Sequence, residues 1–396
     1  MKLRGSDEAV AEVTRPGQLF EIIPATIDGI DYRAFKNAPG TLRELFDLAR
    51  DRGEQTFLVY EDEQWTYAKV VAHLDALGAA LVDRYGVTNG HRVAIGMRNI
   101  PEWVVSFGAI QSIGAITVSL NAWWSEEELG RALQDSGTKV LIADVRRAER
   151  AEAACRRLDI PMIVARGGTE LSSAIRADRW EDVVVLGSRL PDIAIDREDD
   201  ATILYTAGTT DFPRGAVSTN RAVLQALFGF GCRVAVEEAR NPDDPGWGEH
   251  PVVILAVPLF HVTGCVPVML ASVALGMRLV MMHHWDAELA LELIERERVT
   301  TFIGVPTESW DLLEALAVHE HDTSSLVNVA GGGAPAPPAL VRRVSQHFAN
   351  ARPSIAYGMT ETNAYGPGNF GADYLARPDS VGRAVPVLEV EIRDDA

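Results

Sequence analysis

The chain has 396 residues, 47% of them hydrophobic, enough to bury a large core in one big domain or two modest ones and too many for a disordered chain. Its 37 Lys and Arg against 56 Asp and Glu leave a formal charge of −19, which argues against a nucleic-acid backbone or an anionic membrane surface as the natural partner. A small anionic ligand stays open, because salt screens charge over roughly 8 Å and local cations then decide.

Cys155, Cys232 and Cys265 form no CxxC pair, so they offer no zinc framework and fit a reducing compartment. The opening MKLRGSDEAVAEVTRPG lacks the apolar run of a secretory signal. The most apolar stretch, VTGCVPVMLASVALGMRLVMM (262–282), is interrupted by Pro267, Gly276 and Arg278, and reads as a buried helix running into a buried strand rather than a membrane span. A cytoplasmic protein without a transmembrane segment is expected, with peripheral membrane contact left open.

In chain order, TLRELFDLARDRG places Leu42, Leu45, Phe46 and Ala49 at helical spacing, with Thr41 and Glu44 as a capping box. TFLVY reads as a strand, the run from Thr66 to near Gly86 as a helix, and RVAIGM as a strand. Pro101 opens a helix through about Ile113, AITVSL is a strand, Ser125 and Glu128 cap the next helix, and KVLIAD is a strand. Later strands are ATILYT, VVILAV, MRLVMM, TTFIGV, LVNVA and PSIAYG, with helical patterns at 218–230, 264–275, 286–298, 307–317 and 337–349. ARNPDDPGWGEHP (239–251) reads as a surface excursion. Short apolar strands alternating with helices predict an α/β fold with mostly parallel sheets flanked by helices, where ligands gather outside the carboxyl ends of strands.

ILYTAGTTDFPRGAVSTN (203–220) follows such a strand end. The hydroxyls of Thr206, Thr209 and Thr210, the cation of Arg214 and backbone N–H groups could converge on phosphate oxygens, with Gly208 and Gly215 allowing close approach. No Walker loop is present, and a threonine-rich surface turn is the competing reading. The segment resembles the phosphate-binding signature of the adenylate-forming superfamily of acyl-CoA synthetases, luciferases and adenylation domains, YTSGTTGxPKG, from which it departs at Ala207, Asp211 and Arg214. AYGMTETNAYG is similar to that family's YGxTE segment and VPLFHVTG to its PLFH segment. GGGAPAP and the tail DSVGRAVPVLEVEIRDD fit as well. The likeness runs from about residue 41 to the end and is closest to fatty-acyl-CoA synthetases.

Without the family, LVNVAGGGAPAPPALVRRV is a strand, a glycine turn and a helix whose Gly331, Gly333 and Ala336 satisfy dinucleotide spacing. The acidic residue expected about 20 positions on is absent, and three prolines crowd the turn. A tight structural turn is the plain alternative. The resemblance implies instead that Gly332, Gly333, Ala334 and Pro335 lie against a purine. It also implies that Tyr357, Gly358 and Met359 stack on or flank the adenine, that Thr360 and Glu361 act on the phosphates, and that Glu361 holds Mg²⁺. An isolated YGMTE would otherwise be a buried tyrosine beside a capped turn. His261 is a lone histidine beside apolar residues, which is more often a satisfied core group. The resemblance implies a place beside the acyl tunnel, near the carboxylate to be activated. Trp123 and Trp124 are assigned to packing or a partner surface.

The chemistry so implied is attack of a carboxylate on the α-phosphorus of ATP, departure of pyrophosphate, and transfer of the acyl group to a thiol, that of coenzyme A. It requires positioning and charge neutralisation rather than a protein nucleophile. Asp211 is awkward, since a carboxylate about 4 Å from a phosphate costs on the order of 4 kcal/mol at an effective dielectric of 20, and pairing with Arg214 in the empty site is expected. Family members continue with a small C-terminal domain carrying a catalytic lysine, whereas this sequence stops at Ala396. The expectation is therefore the large N-terminal domain, with subdomains at about 41–200 and about 201–396, that binds nucleotide or acyl chain but forms adenylate slowly. The rivals are an aryl-acid CoA ligase, an amino-acid adenylation domain, and a non-catalytic acyl- or nucleotide-binding protein of the same fold.

Overall fold

The computed structural model describes residues 5–168, 175–206, 212–242 and 251–394. The chain forms two compact units that do not follow its halves. One comprises residues 1–39, 222–254 and 286–396, and the other 40–221 and 255–285. The second unit reclaims 255–285 from the later half because Arg278–Met281 pairs in parallel with Thr56–Tyr60, registering Leu279 on Leu58 and Val280 on Val59. A division at about residue 200 would cut this pairing and would also separate Asp200–Thr206 from Ile116–Ser119, beside which it lies in parallel.

In the second unit a seven-stranded sheet runs in the order Arg214–Thr219, Asp200–Thr206, Ile116–Ser119, Arg92–Gly96, Val140–Asp144, Met162–Ala165, Asp178–Arg179. Every neighbour pair is parallel except the first, an antiparallel hairpin. The strands of the sheet's centre are buried on both faces, which is why they read as unbroken apolar runs rather than alternating ones. The helices start where their caps predict. Thr41 Oγ1 accepts from Glu44 N, Thr66 from Lys69 N, and Ser125 and Glu128 close a reciprocal capping box.

The apolar stretch 262–282 is indeed a helical segment followed by a strand. It opens as a π-helical turn over Gly264–Leu270, which contains Pro267, and continues as α-helix over Ala271–Leu275. Proline has no N–H to donate, which favours a local departure from the regular ladder. Among the described residues no helix is long and apolar enough to cross a membrane.

In the first unit the strands Thr301–Gly304, Asn328–Gly331 and Arg352–Ala356 are parallel, and Gly368–Phe370 closes the edge antiparallel. A hairpin of Ile22–Ile27 and Ile30–Phe35 packs with the helices Ser6–Thr14 and Asn220–Arg240 around Phe35, Cys232 and Val236. Gln225 on the long helix clasps Phe35, accepting from its N–H at 2.7 Å and donating to its carbonyl at 2.9 Å.

Several elements went unread in the sequence. Residues 214–219 are a strand, so the helix expected from 218 begins at Asn220 and extends to Arg240. The helix Val145–Leu158 is hidden by its charge, because it buries only the small stripe of Ala148, Ala151, Ala154 and Cys155 beside Arg147. Most of the excursion at 239–251 lies outside the described residues.

Candidate functional site

In the first unit the glycine turn and the Tyr357 loop leave neighbouring strands at the same end. Gly331 is the register partner of Ile355, and both strands point their carboxyl ends toward the segments 332–335 and 357–361. Gly332 N donates to Gly304 O at 3.2 Å, tying the turn to the third strand. Gly333 has φ +75°, a left-handed conformation that suits glycine, and Gly333, Ala334 and Pro335 are exposed. The helix after the turn starts at Pro338 behind Pro337 and has no side-chain cap. Its first turn is poor in N–H donors, which argues against a dinucleotide pyrophosphate there and leaves the turn's flat backbone as the feature available to a ligand.

Tyr357 is 52% and Met359 45% exposed, so an aromatic face and a thioether stand free beside the glycine turn. Tyr357 N donates to Pro367 O at 2.9 Å, and Gly358 lies so close to Ala364 that a Cβ would sit 2.2 Å from its carbonyl oxygen. Met359 N donates to Thr362 Oγ1 at 3.1 Å, closing a 3₁₀ turn over Thr360–Thr362 that presents Glu361 outward. Among the described residues Glu361 has no ion-pair partner, and no group of three or more His, Cys, Asp or Glu could hold a metal alone. A single outward carboxylate fits Mg²⁺, which commonly takes one or two carboxylates and completes its shell with phosphate oxygens and water.

In the second unit Thr206 and Arg214 are the last register partners before the segment that joins the two strands of the hairpin, with Thr206 Oγ1 donating to Arg214 O at 3.4 Å. Arg214 is exposed. Gly215 has a packing reason of its own, since a Cβ there would lie 2.7 Å from Ile203 Cγ2. Gly208, Thr209 and Thr210, with Ala207 and Asp211, lie outside the described residues, as does the expected contact of Asp211 with Arg214. Tyr205 turns to packing: its hydroxyl donates to Asp135 Oδ2 at 2.8 Å and its ring meets Trp124 edge-on at 5.3 Å. A cavity of about 580 Å³ beside this face is lined by Asp135, Asp199 and Asp200. Its cation, Arg92, is engaged by the carbonyls of Ser136 and Gly137, so the cavity disfavours phosphate.

His261 follows a segment clamped by Asn99, whose Nδ2 donates to Val257 O at 3.1 Å while its Oδ1 accepts from Leu259 N at 2.9 Å. Gly264 lets the chain fold back, as a Cβ there would be 2.2 Å from Pro258 O. The His261 ring is exposed yet held below the ordinary histidine pKa by desolvation, and its Nδ1 accepts from Thr263 N at 3.4 Å. That bond puts the proton of the neutral ring on Nε2. Beside it Phe260 meets Trp123 edge-on at 5.2 Å, and Arg98 lies 5.8 Å from the Trp123 ring. Asn99, Arg98 and Trp123 were not read as site neighbours in the sequence, since no spacing links positions so far apart in the chain.

This mostly parallel α/β architecture brings a glycine turn and a tyrosine loop together at one set of strand ends. Residues 45–396 match the AMP-binding enzyme family, and the chain belongs to it. It is similar to long-chain-fatty-acid–CoA ligase FadD13 of Mycobacterium tuberculosis, at 27% identity over 336 residues covering 84% of this chain and 62% of that protein. It is also similar to 4-coumarate–CoA ligase 5 of Oryza sativa subsp. japonica, at 28% over 321 residues covering 80% and 57%. The fold matches the crystal structure of the N-terminal domain of FACL13 from Mycobacterium tuberculosis with TM-score 0.71 and 22% identity, over 88% of this chain and 83% of that one. The chain thus spans 57–62% of the length of these two curated relatives.

Proposed function

We propose that the chain belongs to an ATP-dependent acid–CoA ligase that activates a carboxylic acid, a fatty acid in the first instance, as its acyl-adenylate before transfer to coenzyme A. The observation that carries the reading is the shared strand-end position of the glycine turn 332–335 and the Tyr357–Glu361 loop, set by the pairing of Gly331 with Ile355. In this reading Gly332, Gly333, Ala334 and Pro335 give the purine a side-chain-poor backbone surface and Tyr357, Gly358 and Met359 give it an apolar face. Glu361 would hold Mg²⁺, which when bound neutralises phosphate charge, and Thr360 would donate to a phosphate oxygen. Thr206, Gly208, Thr209, Thr210, Arg214 and Gly215 are assigned to the phosphates, and His261 to the acid's carboxylate.

The fatty-acid substrate is favoured by the FadD13 relative and the aryl-acid alternative by the 4-coumarate relative. A cytoplasmic location is proposed with it, consistent with three free, buried cysteines. The test is calorimetry of the chain with ATP and with a non-hydrolysable acyl-adenylate mimic, followed by ATP–pyrophosphate exchange over a panel of alkyl and aryl acids with the full-length ligase. Absence of binding to both ligands would sink the reading. Binding without exchange for any acid would favour a non-catalytic binding protein.

A further inference from the structure

The Tyr357 loop is closed on itself and then fastened at one point. Beyond the Gly358 contact, a Cβ on Gly366 would lie 2.0 Å from Tyr357 O, so the two legs of the loop run in direct backbone contact. Ala364 N donates to Met359 O at 2.9 Å and Tyr365 N to Thr362 O at 3.0 Å. Between Glu361 and Tyr365 the backbone passes through Asn363 at φ 52° and Ala364 at φ 61°, two successive left-handed residues that are not glycine. Such a pair persists only where its surroundings over-determine it.

What over-determines it is the seat of Tyr365, whose residue is 3% exposed. Its ring lies against the long helix Asn220–Arg240 at Gly229, where a Cβ would be 2.2 Å from the ring's Cζ. Phe230 meets the ring edge-on at 5.4 Å, and the hydroxyl donates to Pro386 O at 3.0 Å. One turn along the same helix, the guanidinium of Arg233 lies 5.1 Å from the Phe230 ring and 4.7 Å from that of Phe370, in the strand that follows the loop. The notch, the ring and the guanidinium make one fastening for the loop's C-terminal leg.

We propose that Tyr365, seated in the notch that Gly229 leaves on the long helix, is a positioning residue that aims Glu361 by holding Asn363 and Ala364 in their left-handed conformation. The inference rests on the reading of Glu361 as the carboxylate for nucleotide-bound Mg²⁺. If the seat is lost, Asn363 and Ala364 relax and the outward carboxylate is re-aimed, while the strand beneath stays paired.

The test is calorimetric titration of the chain with ATP, with and without Mg²⁺, alongside circular dichroism and thermal melting. Gly229→Ala pushes a methyl group into the ring. It is expected to fold and to lose about tenfold of the Mg²⁺-dependent gain in ATP affinity, with metal-free affinity little changed. Tyr365→Phe keeps the ring in its seat and is expected to retain that gain within about twofold. Adding Glu361→Gln to Gly229→Ala should cost nothing further, because both act on one group. Should Gly229→Ala fail to fold, Tyr365→Leu, which empties the seat without a clash, is read in its place. A lower melting temperature with the Mg²⁺ gain intact, or additive losses in the double variant, overturns the proposal and leaves Tyr365 a packing residue. If the unaltered chain binds no ATP, the functional reading falls and this inference falls with it.

Discussion

Gly331 and Ile355 are register partners on adjacent parallel strands, so the glycine turn and the Tyr357 loop leave the sheet side by side. Segments more than twenty residues apart in sequence are thereby neighbours at one sheet end, where parallel α/β folds gather their ligands.

Gly333 stands at φ +75° in that turn. Gly333→Ala is expected to cost about 1–2 kcal/mol of stability, since an L side chain resists that conformation, and to weaken ATP binding by a further factor. Thermal melting and calorimetry on the same variant read both effects. An unchanged melting temperature would contradict the strained conformation.

Asn99 bridges Val257 O and Leu259 N in a buried setting. Asn99→Ala strands one acceptor and one donor and is expected to cost about 2–4 kcal/mol, measured by denaturant unfolding. Asn99→Asp retains the acceptor for Leu259 N but replaces the donor to Val257 O with a carboxylate oxygen, and should be no better tolerated. Near-wild-type stability of either variant would show that the clamp is dispensable.

His261 is held below the ordinary value of 6.5 by desolvation. A lowered folded-state pKa means that the unfolded chain takes up the proton more readily, so this group's contribution is complete above pH 6.5 and is lost as the pH falls below it. His261→Asn is therefore expected to flatten the fall in melting temperature between about pH 7 and pH 5, and an imidazole titration by NMR should have its midpoint below 6.5. The raised carboxyls of Glu237 and Glu308 act with the opposite sign, and comparing the variant with the parent at each pH removes their shared effect. A midpoint above 6.5 would refute the assignment.

In the proposed reading Asp211 stands where the resembled signature has glycine, next to the phosphates. Asp211→Gly is expected to tighten ATP binding up to about tenfold, as a negative charge is removed and Arg214 is left to the phosphates. Calorimetry decides it, and equal affinity would dismiss the idea that Asp211 competes for Arg214.

The sequence by itself determined the α/β class, the order of the parallel strands' apolar runs and the capped helix starts. Each depends on local periodicity or on hydrogen bonds within one turn, such as those of Thr41, Thr66 and Ser125. The glycine, YGMTE and PLFH segments were legible in the sequence only through their resemblance to the adenylate-forming superfamily. Only the tertiary structure decided which strands are neighbours, that 255–285 joins the unit of residues 40–221, and that Asn99 clamps the segment before His261. The same holds for the seat of Tyr365 on Gly229. These contacts link residues far apart in the chain, where no periodicity reports a partner and tertiary packing and hydrogen bonding select it.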